Sequence, residues 1–399
     1  MKKIMIGLLS FMGLIGFVGN SFSSCSPEPP LHLYDAPEVA VELSVLNLDL
    51  EGYWETVMDL STMLDIDANW YYGWDANDIK IHHSPIGYIL PDTFEVRRYY
   101  TGEVPNIPHT NVLVDTLNGM SYHRFWDYGY WDMLLWNQIQ THDGIQSLIF
   151  DETSSLDSII VSTNATMRST RYNAPRYTHA FNAPELLFSA YKQGIEINSN
   201  LDGCVYDPER DVWVRTDSMR LRPVTYIYLT QVILHNNKGR INSIDGNADI
   251  SGMARSANLN TCIPGNDAVT VYFNANLKKD CDMDGELVDI IGGRVVTFGP
   301  THDERKAIEE AKKYDARKRA SVLSDKFPHY MDFTMQFNNG MDSTFVFDIT
   351  DQVHEQSKGG IITIELNVDN IPIPSRSGGS GFDAVVKETE DGGTYEFNM

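Results

Sequence analysis

The chain has 399 residues, of which 42% are hydrophobic and 11% aromatic, and its formal net charge is −24. This negative charge argues against nucleic acid as a partner, because a binding surface must neutralise phosphates with Lys and Arg. It argues equally against electrostatic attachment to anionic lipid.

The first 24 residues are typical of a secretory signal peptide. Lys2 and Lys3 form a short basic region, and a mostly apolar stretch over 4–18 follows. This stretch is shorter than the roughly 18 to 20 apolar residues that cross a bilayer as a helix. The segment 21–25, SFSSC, resembles a bacterial lipobox, so we expect cleavage after Ser24 and lipidation of Cys25. The alternative is a plain signal peptide that leaves Cys25 as an ordinary thiol.

Alternation of apolar and polar residues dominates the rest of the chain and predicts β-strands. In chain order, the strands are expected at 39–50, 93–99, 111–117, 144–150, 156–162, 211–215, 221–235, 240–251, 268–277, 287–298, 330–337, 344–349 and 361–368. Many short strands separated by Gly, Asn and Asp predict an all-β chain built from antiparallel sandwiches.

Three local patterns are more specific. The strand at 223–234, the turn at 236–239 and the strand that begins at Arg240 predict a hairpin. The segment 183–193 is a short helix candidate, opened by Asn182 and Pro184. The segment 303–323 is rich in helix-forming residues but poor in apolar ones, so we expect a solvent-facing helical insertion.

Length suggests two domains, because removal of 24 residues from 399 leaves 375, more than one core usually holds. We expect a signal peptide at 1–24, a Pro-rich lipidated tether at 25–37, an N-terminal β-sandwich at 38–197 and a C-terminal β-sandwich at 198–399.

The sequence contains no catalytic motif, so we predict no catalytic residue, no cofactor, no metal site and no enzymatic activity. The segment 280–285 has the Asp spacing of a calcium loop, but Ile291 replaces the Glu that such a loop needs, which favours an acidic hairpin turn. Cys204, Cys262 and Cys281 allow at most one internal disulfide, and Cys262–Cys281 is the pair we favour.

Aromatic residues are concentrated early in the chain, where six of the seven tryptophans lie between Trp54 and Trp136. Exposed aromatics near Asp and Asn can stack on sugar rings, whereas buried ones would fill a core. The first interpretation makes a glycan-binding outer-membrane lipoprotein the alternative function. Its candidate contacts are Trp70, Tyr72, Trp74, Trp126 and Trp131.

Several segments together resemble the fimbrillin-like lipoproteins of Bacteroidota. They are Cys25, 29–34, 70–74, 147–151, 223–232 and 251–255. The resemblance implies two tandem transthyretin-like sandwiches with short helical insertions, exported and lipid-anchored in the outer membrane, on the cell surface. It also implies a pilus anchor or tip subunit or an adhesin, whose partners are other pilus subunits or host or bacterial surface ligands.

Such subunits join by β-strand addition, in which one chain supplies a strand to the sheet of another. The C-terminal segment 394–399 is a candidate donor strand, and the alternative is that it completes its own sheet. In the shaft-forming relatives an Arg-specific protease cuts behind the first strand. Here no Arg or Lys lies between Cys25 and Lys80, so we expect a subunit that keeps both its first strand and its lipid.

Overall fold

The structure, a computed structural model, describes residues 39–46, 70–73, 91–102, 111–119, 121–139, 146–151, 159–166, 180–198, 200–209, 211–313, 323, 326–374, 383–386 and 395–398. The strands are β1 (Val39–Leu46), β2 (Thr93–Gly102), β3 (Asn111–Asn118), β4 (Ser121–Phe125), β5 (Gly129–Asn137), β6 (Leu148–Asp151), β7 (Ile160–Thr163), β8 (Ala180–Asn182), β9 (Phe188–Ile197), β10 (Val205–Asp207), β11 (Val212–Arg220), β12 (Arg222–Pro223), β13 (Tyr226–His235), β14 (Ile241–Ala254), β15 (Ser256–Asn258), β16 (Ala268–Met283), β17 (Glu286–Thr297), β18 (Tyr330–Phe337), β19 (Asp342–Asp348), β20 (Gly360–Asn367), β21 (Asp383–Val386) and β22 (Tyr395–Asn398). The helices are α1 (His302–Ala311) and α2 (Thr350–Glu355).

The all-β prediction is confirmed. The described strands form sheets in the orders β10-β11-β1-β4, β12-β9-β5-β2-β3 and β15-β7-β6, and a large sheet β20-β13-β17-β16-β14-β18-β19-β21-β22 to which β8 adds beside β16. Most neighbours are antiparallel. The parallel pairs are β1–β11, β13–β20, β8–β16 and β19–β21.

The large sheet folds over on itself because β16 belongs to both of its halves. Residues 268–274 of β16 pair with β14, and residues 275–283 pair with β17. The two halves enclose an apolar cluster, here called the second core, which includes Tyr228, Phe273, Phe333, Phe347 and Ile364.

Strand β13 is buried on both faces. Ile227, Leu229 and Ile233 face the first core, which also contains Phe94 and Phe188 from the five-stranded sheet. The intervening Tyr228, Val232 and Leu234 belong to the second core. A strand between two cores carries apolar residues at nearly every position, as the sequence of β13 does.

The hairpin prediction for 223–251 is wrong, although both strands exist. Strand β13 pairs with β17 and β20, whereas β14 pairs with β16 and β18. The turn between them carries the chain across to the other half of the sheet. Asn237 fixes this crossing, because its side chain bonds the backbone of Ile241 and the carboxylate of Asp289.

The helix predicted at 183–193 is also wrong, because β9 begins at Phe188 and pairs with β5 and β12. Burial of Phe188 and Ala190 in the first core overrides the local capping signal. The helix predicted at 303–323 is confirmed over His302–Ala311. Its expected solvent exposure is wrong for one face, since Glu304, Ile308 and Ala311 follow helical spacing and are buried.

The predicted Cys262–Cys281 disulfide is wrong, since Cys204, Cys262 and Cys281 are free thiols. Cys262 packs against one apolar cluster and Cys281 against another. Burial raises the pKa of the Cys262 thiol to about 11, so this thiol stays protonated and unreactive at neutral pH.

The acidic segment 280–285 ends in a hairpin turn, as predicted. Asp284 and Gly285 join β16 to β17, and both have positive φ, 54° and 91°. Such a two-residue turn favours Asp-Gly.

Strand pairing continues beyond residue 197, where the sequence places the domain boundary. Strand β11 pairs with β1, and β12 pairs with β9. The division into domains at 197/198 stays a prediction.

Candidate functional site

The first strand is an interior strand. Val39–Leu46 pairs in parallel with β11 over eight residue positions and antiparallel with β4 over five. Its backbone is therefore bonded on both sides. Cys25, the tether and the signal peptide lie outside the described residues.

The C-terminal strand completes its own sheet, as the alternative to a donor role predicts. Strand β22 pairs with β21, which pairs in parallel with β19. These two short strands lie at the end of the large sheet. To serve another subunit, β22 would first have to leave β21.

Strand β3 forms an edge with exposed apolar side chains. Among the described strands it pairs only with β2. Val112, Leu113 and Val114 are 44%, 45% and 58% exposed, on both faces of the strand. Natural edge strands usually carry charges, Pro or bulges that prevent pairing with another chain, and these three positions carry none of these protective residues.

The aromatic residues proposed as sugar contacts are buried where the structure describes them. Trp70, Tyr72, Trp126 and Trp131 are 5%, 9%, 7% and 2% exposed and all belong to the first core. Trp74 lies outside the described residues. Packing in the first core explains the position of these four aromatic residues. The interpretation that they contact sugars stays a prediction.

An arginine organises part of this aromatic cluster. The Arg98 guanidinium lies 5.0 Å from the Trp126 ring centre and 5.8 Å from that of Trp131, and it forms a 2.8 Å ion pair with Asp115. Burial alone would raise the pKa of the Asp115 carboxyl, but hydrogen bonds from Tyr122 and Arg98 outweigh it and lower that pKa. Arg98 therefore has partners for its charge although it is only 6% exposed.

Tyr72 connects the aromatic cluster to the large sheet. Its backbone N–H donates to Gln231 Oε1 on β13, and Lys278 on β16 donates to its carbonyl oxygen. The Lys278 ammonium also lies 3.9 Å from the centre of the Tyr72 ring. The ring occupies the space that a side chain at Gly292 would need, because a Cβ there would lie 2.5 Å from it.

A second cluster, fully buried, contains Glu304, His329 and His354. Their exposed fractions are 1%, 0% and 6%. One Glu304 oxygen lies 2.6 Å from His329 Nε2 and 3.0 Å from His354 Nε2. Burial alone would raise the pKa of the Glu304 carboxyl, but the two histidines outweigh it and hold that pKa below its ordinary value.

Sequence reasoning missed this cluster because its members lie on α1, before β18 and on α2, with no short motif. The one available signal was Glu304 in a helix, four residues before buried Ile308. Helical spacing alone would have placed Glu304 on the buried face, where a carboxylate needs a partner.

Comparison with known proteins gives structural neighbours only. No family model matches the chain, and no curated protein matches it. A solved structure of a candidate adhesin from Bacteroides ovatus is 12% identical, with 88% of this chain and 99% of that chain covered and a TM-score of 0.45. The fimbrial anchor protein Mfa2 from Porphyromonas gingivalis is 9% identical, with 90% and 96% covered and a TM-score of 0.35.

A truncated form of the tip fimbrial protein Mfa3 from the same organism is 8% identical, with 77% and 93% covered and a TM-score of 0.28. The three neighbours named here are adhesin and fimbrial proteins, and their TM-scores, all below 0.5, carry no weight for function. Among the described residues, no helix is long and apolar enough to cross a membrane.

Proposed function

We propose that the chain is a cell-surface fimbrillin-like lipoprotein, lipidated at Cys25, that serves as a pilus anchor or tip subunit or as an adhesin. It joins its partners by β-strand addition. The proposal rests on the export and lipobox signals and on the sequence resemblance, together with the position of the first strand.

The position of β1 is the observation that carries the proposal. A subunit whose first strand is removed exposes a groove that the next subunit fills. Here β1 is bonded on both sides, to β11 and to β4. No Arg or Lys follows it before Lys80, so an Arg-specific protease has no site close behind it. The strand and the lipid at Cys25 therefore stay on one continuous chain, which suits an anchor or a tip.

The edge of β3 offers a different surface for strand addition. Its exposed Val112 and Val114 share one face, and Leu113 lies on the other. An extended strand of a partner subunit could pair with its backbone while apolar side chains cover these three residues. Among the described strands, this edge of β3 is unpaired with β1 in place.

The experiment compares the surface fraction of cells that express the full precursor with that of cells that express Cys25→Ala. Detergent gels, electron microscopy and labelling with a radioactive fatty acid are the measurements. We expect lipid-dependent label on the wild-type chain, and attachment at one end of a filament or as a single surface subunit. Long homopolymers of the chain would contradict the anchor or tip role, and absence of label from the wild-type chain would contradict the lipoprotein.

A further inference from the structure

We propose that Glu304, His329 and His354 form a closed structural site for a divalent transition-metal ion of the zinc type. Ligand atoms of the three side chains lie within 4.8 Å of one another. Two imidazoles and one carboxylate are a donor set that zinc takes in proteins. The site is independent of the proposed surface role and adds a ligand to this chain.

The hydrogen bonds of His329 leave its Nε2 lone pair for a ligand. Its Nδ1 lies 2.9 Å from the backbone oxygen of Ser251, which can only accept, so Nδ1 carries a proton. A metal-bound histidine typically donates its second N–H to a backbone carbonyl in this way, which fixes the tautomer. Nε2 points at the Glu304 oxygen, 2.6 Å away.

Without an ion, this arrangement needs an extra proton. If His329 Nε2 is also protonated, the ring is a fully buried cation, and if it is not, Glu304 must be protonated. His354 presents its Nε2 to the same Glu304 oxygen and to the Phe327 carbonyl, at 3.0 and 3.1 Å. Its buried Nδ1 has no hydrogen-bond partner among the described residues. A divalent cation takes the place of the extra proton and binds the Nε2 atom of each ring, which leaves the remaining N–H of His354 on Nδ1.

The distances fit a small rearrangement on binding. Zinc–nitrogen bonds of 2.0–2.1 Å in a tetrahedron place neighbouring ligand atoms roughly 3.3 Å apart. The 2.6 and 3.0 Å separations from Glu304 must therefore open by less than about 1 Å. The Phe327 carbonyl or a water molecule completes the tetrahedron.

The backbone at Gly252 makes room for the ring of His329. Gly252 has a φ of +86°, and a Cβ at this position would lie 2.6 Å from His329 Nδ1. Because the three side chains are almost inaccessible to solvent, no substrate could reach a bound ion, and the role is structural. The ion ties α1 and α2 to the start of β18.

The test uses the mature chain, stripped with a chelator and reloaded with zinc, then dialysed and analysed for metal by mass spectrometry. We expect about one retained ion per chain and a higher Tm than the stripped form. Cobalt should give the visible absorption of a four-coordinate ion with nitrogen and oxygen ligands. This spectrum is measured on the wild-type chain and so does not depend on any variant folding.

Glu304→Gln and His354→Gln test the position of the site, with His235→Gln as the matched control. His235 lies near two exposed carboxylates, Glu286 at 3.7 Å and Glu365 at 3.5 Å, and represents an adventitious surface site. The two cluster variants should bind zinc at least roughly tenfold more weakly, and the control should match the wild type. Wild-type chain that retains no zinc, or loss of the ion in His235→Gln alone, would overturn the proposal.

Discussion

Two carboxylates, Asp249 and Asp332, lie side by side on adjacent strands of the large sheet. The substitution Asp249→Asn tests how much this pair lowers the free energy of unfolding. Asp249 on β14 lies directly opposite Asp332 on β18. Asp249 is 9% exposed, and its Oδ1 has no hydrogen-bond partner among the described residues. Asp245, on the same strand, adds further negative charge.

The size of the expected change in the free energy of unfolding follows from the pKa of Asp249. Burial, with a contribution from the charge of Asp245, raises the pKa of Asp249 from 3.8 to about 6. Burial and the charges of Asp249 and Asp245 raise the pKa of Asp332 in the same way. At about 1.4 kcal/mol for each pH unit, the gap for Asp249 corresponds to about 3 kcal/mol.

The direction of this pKa shift decides the pH range in which the stability changes. A carboxyl whose pKa is raised in the folded state keeps its proton to a higher pH there than in the unfolded chain. The folded state therefore loses stability as the pH rises from about 4 to about 6, and the loss persists above that range. Asparagine has nearly the same shape and cannot ionise.

Urea unfolding of wild-type and Asp249→Asn chains between pH 4 and pH 8 measures the effect. We expect the variant to be more stable at pH 7, by up to about 3 kcal/mol, and the difference to shrink towards pH 4. Asp342→Asn, an exposed carboxylate at the start of β19, is the control and should change little at any pH. A variant that is less stable at pH 7, or a difference independent of pH, would refute this reasoning.

Three further predictions, two of them with a matched control variant, test the packing and the exposed edge. Gly359→Ala should destabilise by at least about 2 kcal/mol in thermal unfolding, because its φ is +92° and the new Cβ would lie 2.4 Å from a β13 carbonyl oxygen. Gly340→Ala, with a φ of +76° and nothing within 4 Å, should cost about half as much, and equal losses would contradict the close contact. Tyr72→Ala should lower the free energy of unfolding by about 3 kcal/mol, measured with urea, whereas Lys278→Met should cost less because it keeps most of the packing. Val114→Lys should weaken association with a partner subunit in sedimentation without lowering Tm, and unchanged association would exclude the β3 edge.

The sequence predicted strands well where one face is buried. The strand predicted at 330–337 coincides with β18, whose Met331, Phe333, Met335 and Phe337 are buried in the second core. Alternation is strong in such strands because each successive side chain changes face. Strand β5 was missed, since seven of its nine residues are buried and its pattern does not alternate.

Pairing between strands was less predictable than the strands themselves. The residues of the turn at 236–239 favour a hairpin, yet the chain crosses there to the other half of the large sheet. Both faces of β13 are apolar, so β13 lies between β17 and β20 with a core on each face. The meeting of the three proposed metal ligands could not be predicted from the sequence either. Glu304, His329 and His354 meet only after α1, β18 and α2 have packed, and no spacing rule connects them.

The pairing of β1 also determines how the protein would respond to a mechanical load. A pull applied on the N-terminal side of Val39, along the strand, would shear the eight positions paired with β11 and the five paired with β4 together. Bonds loaded in parallel share the force, whereas bonds peeled from one end break in succession. Resistance to such a pull is set by the rate of unfolding and not by the equilibrium free energy. The strand nearest the expected tether would thus act as a shear clamp, holding the folded body against drag from whatever it binds.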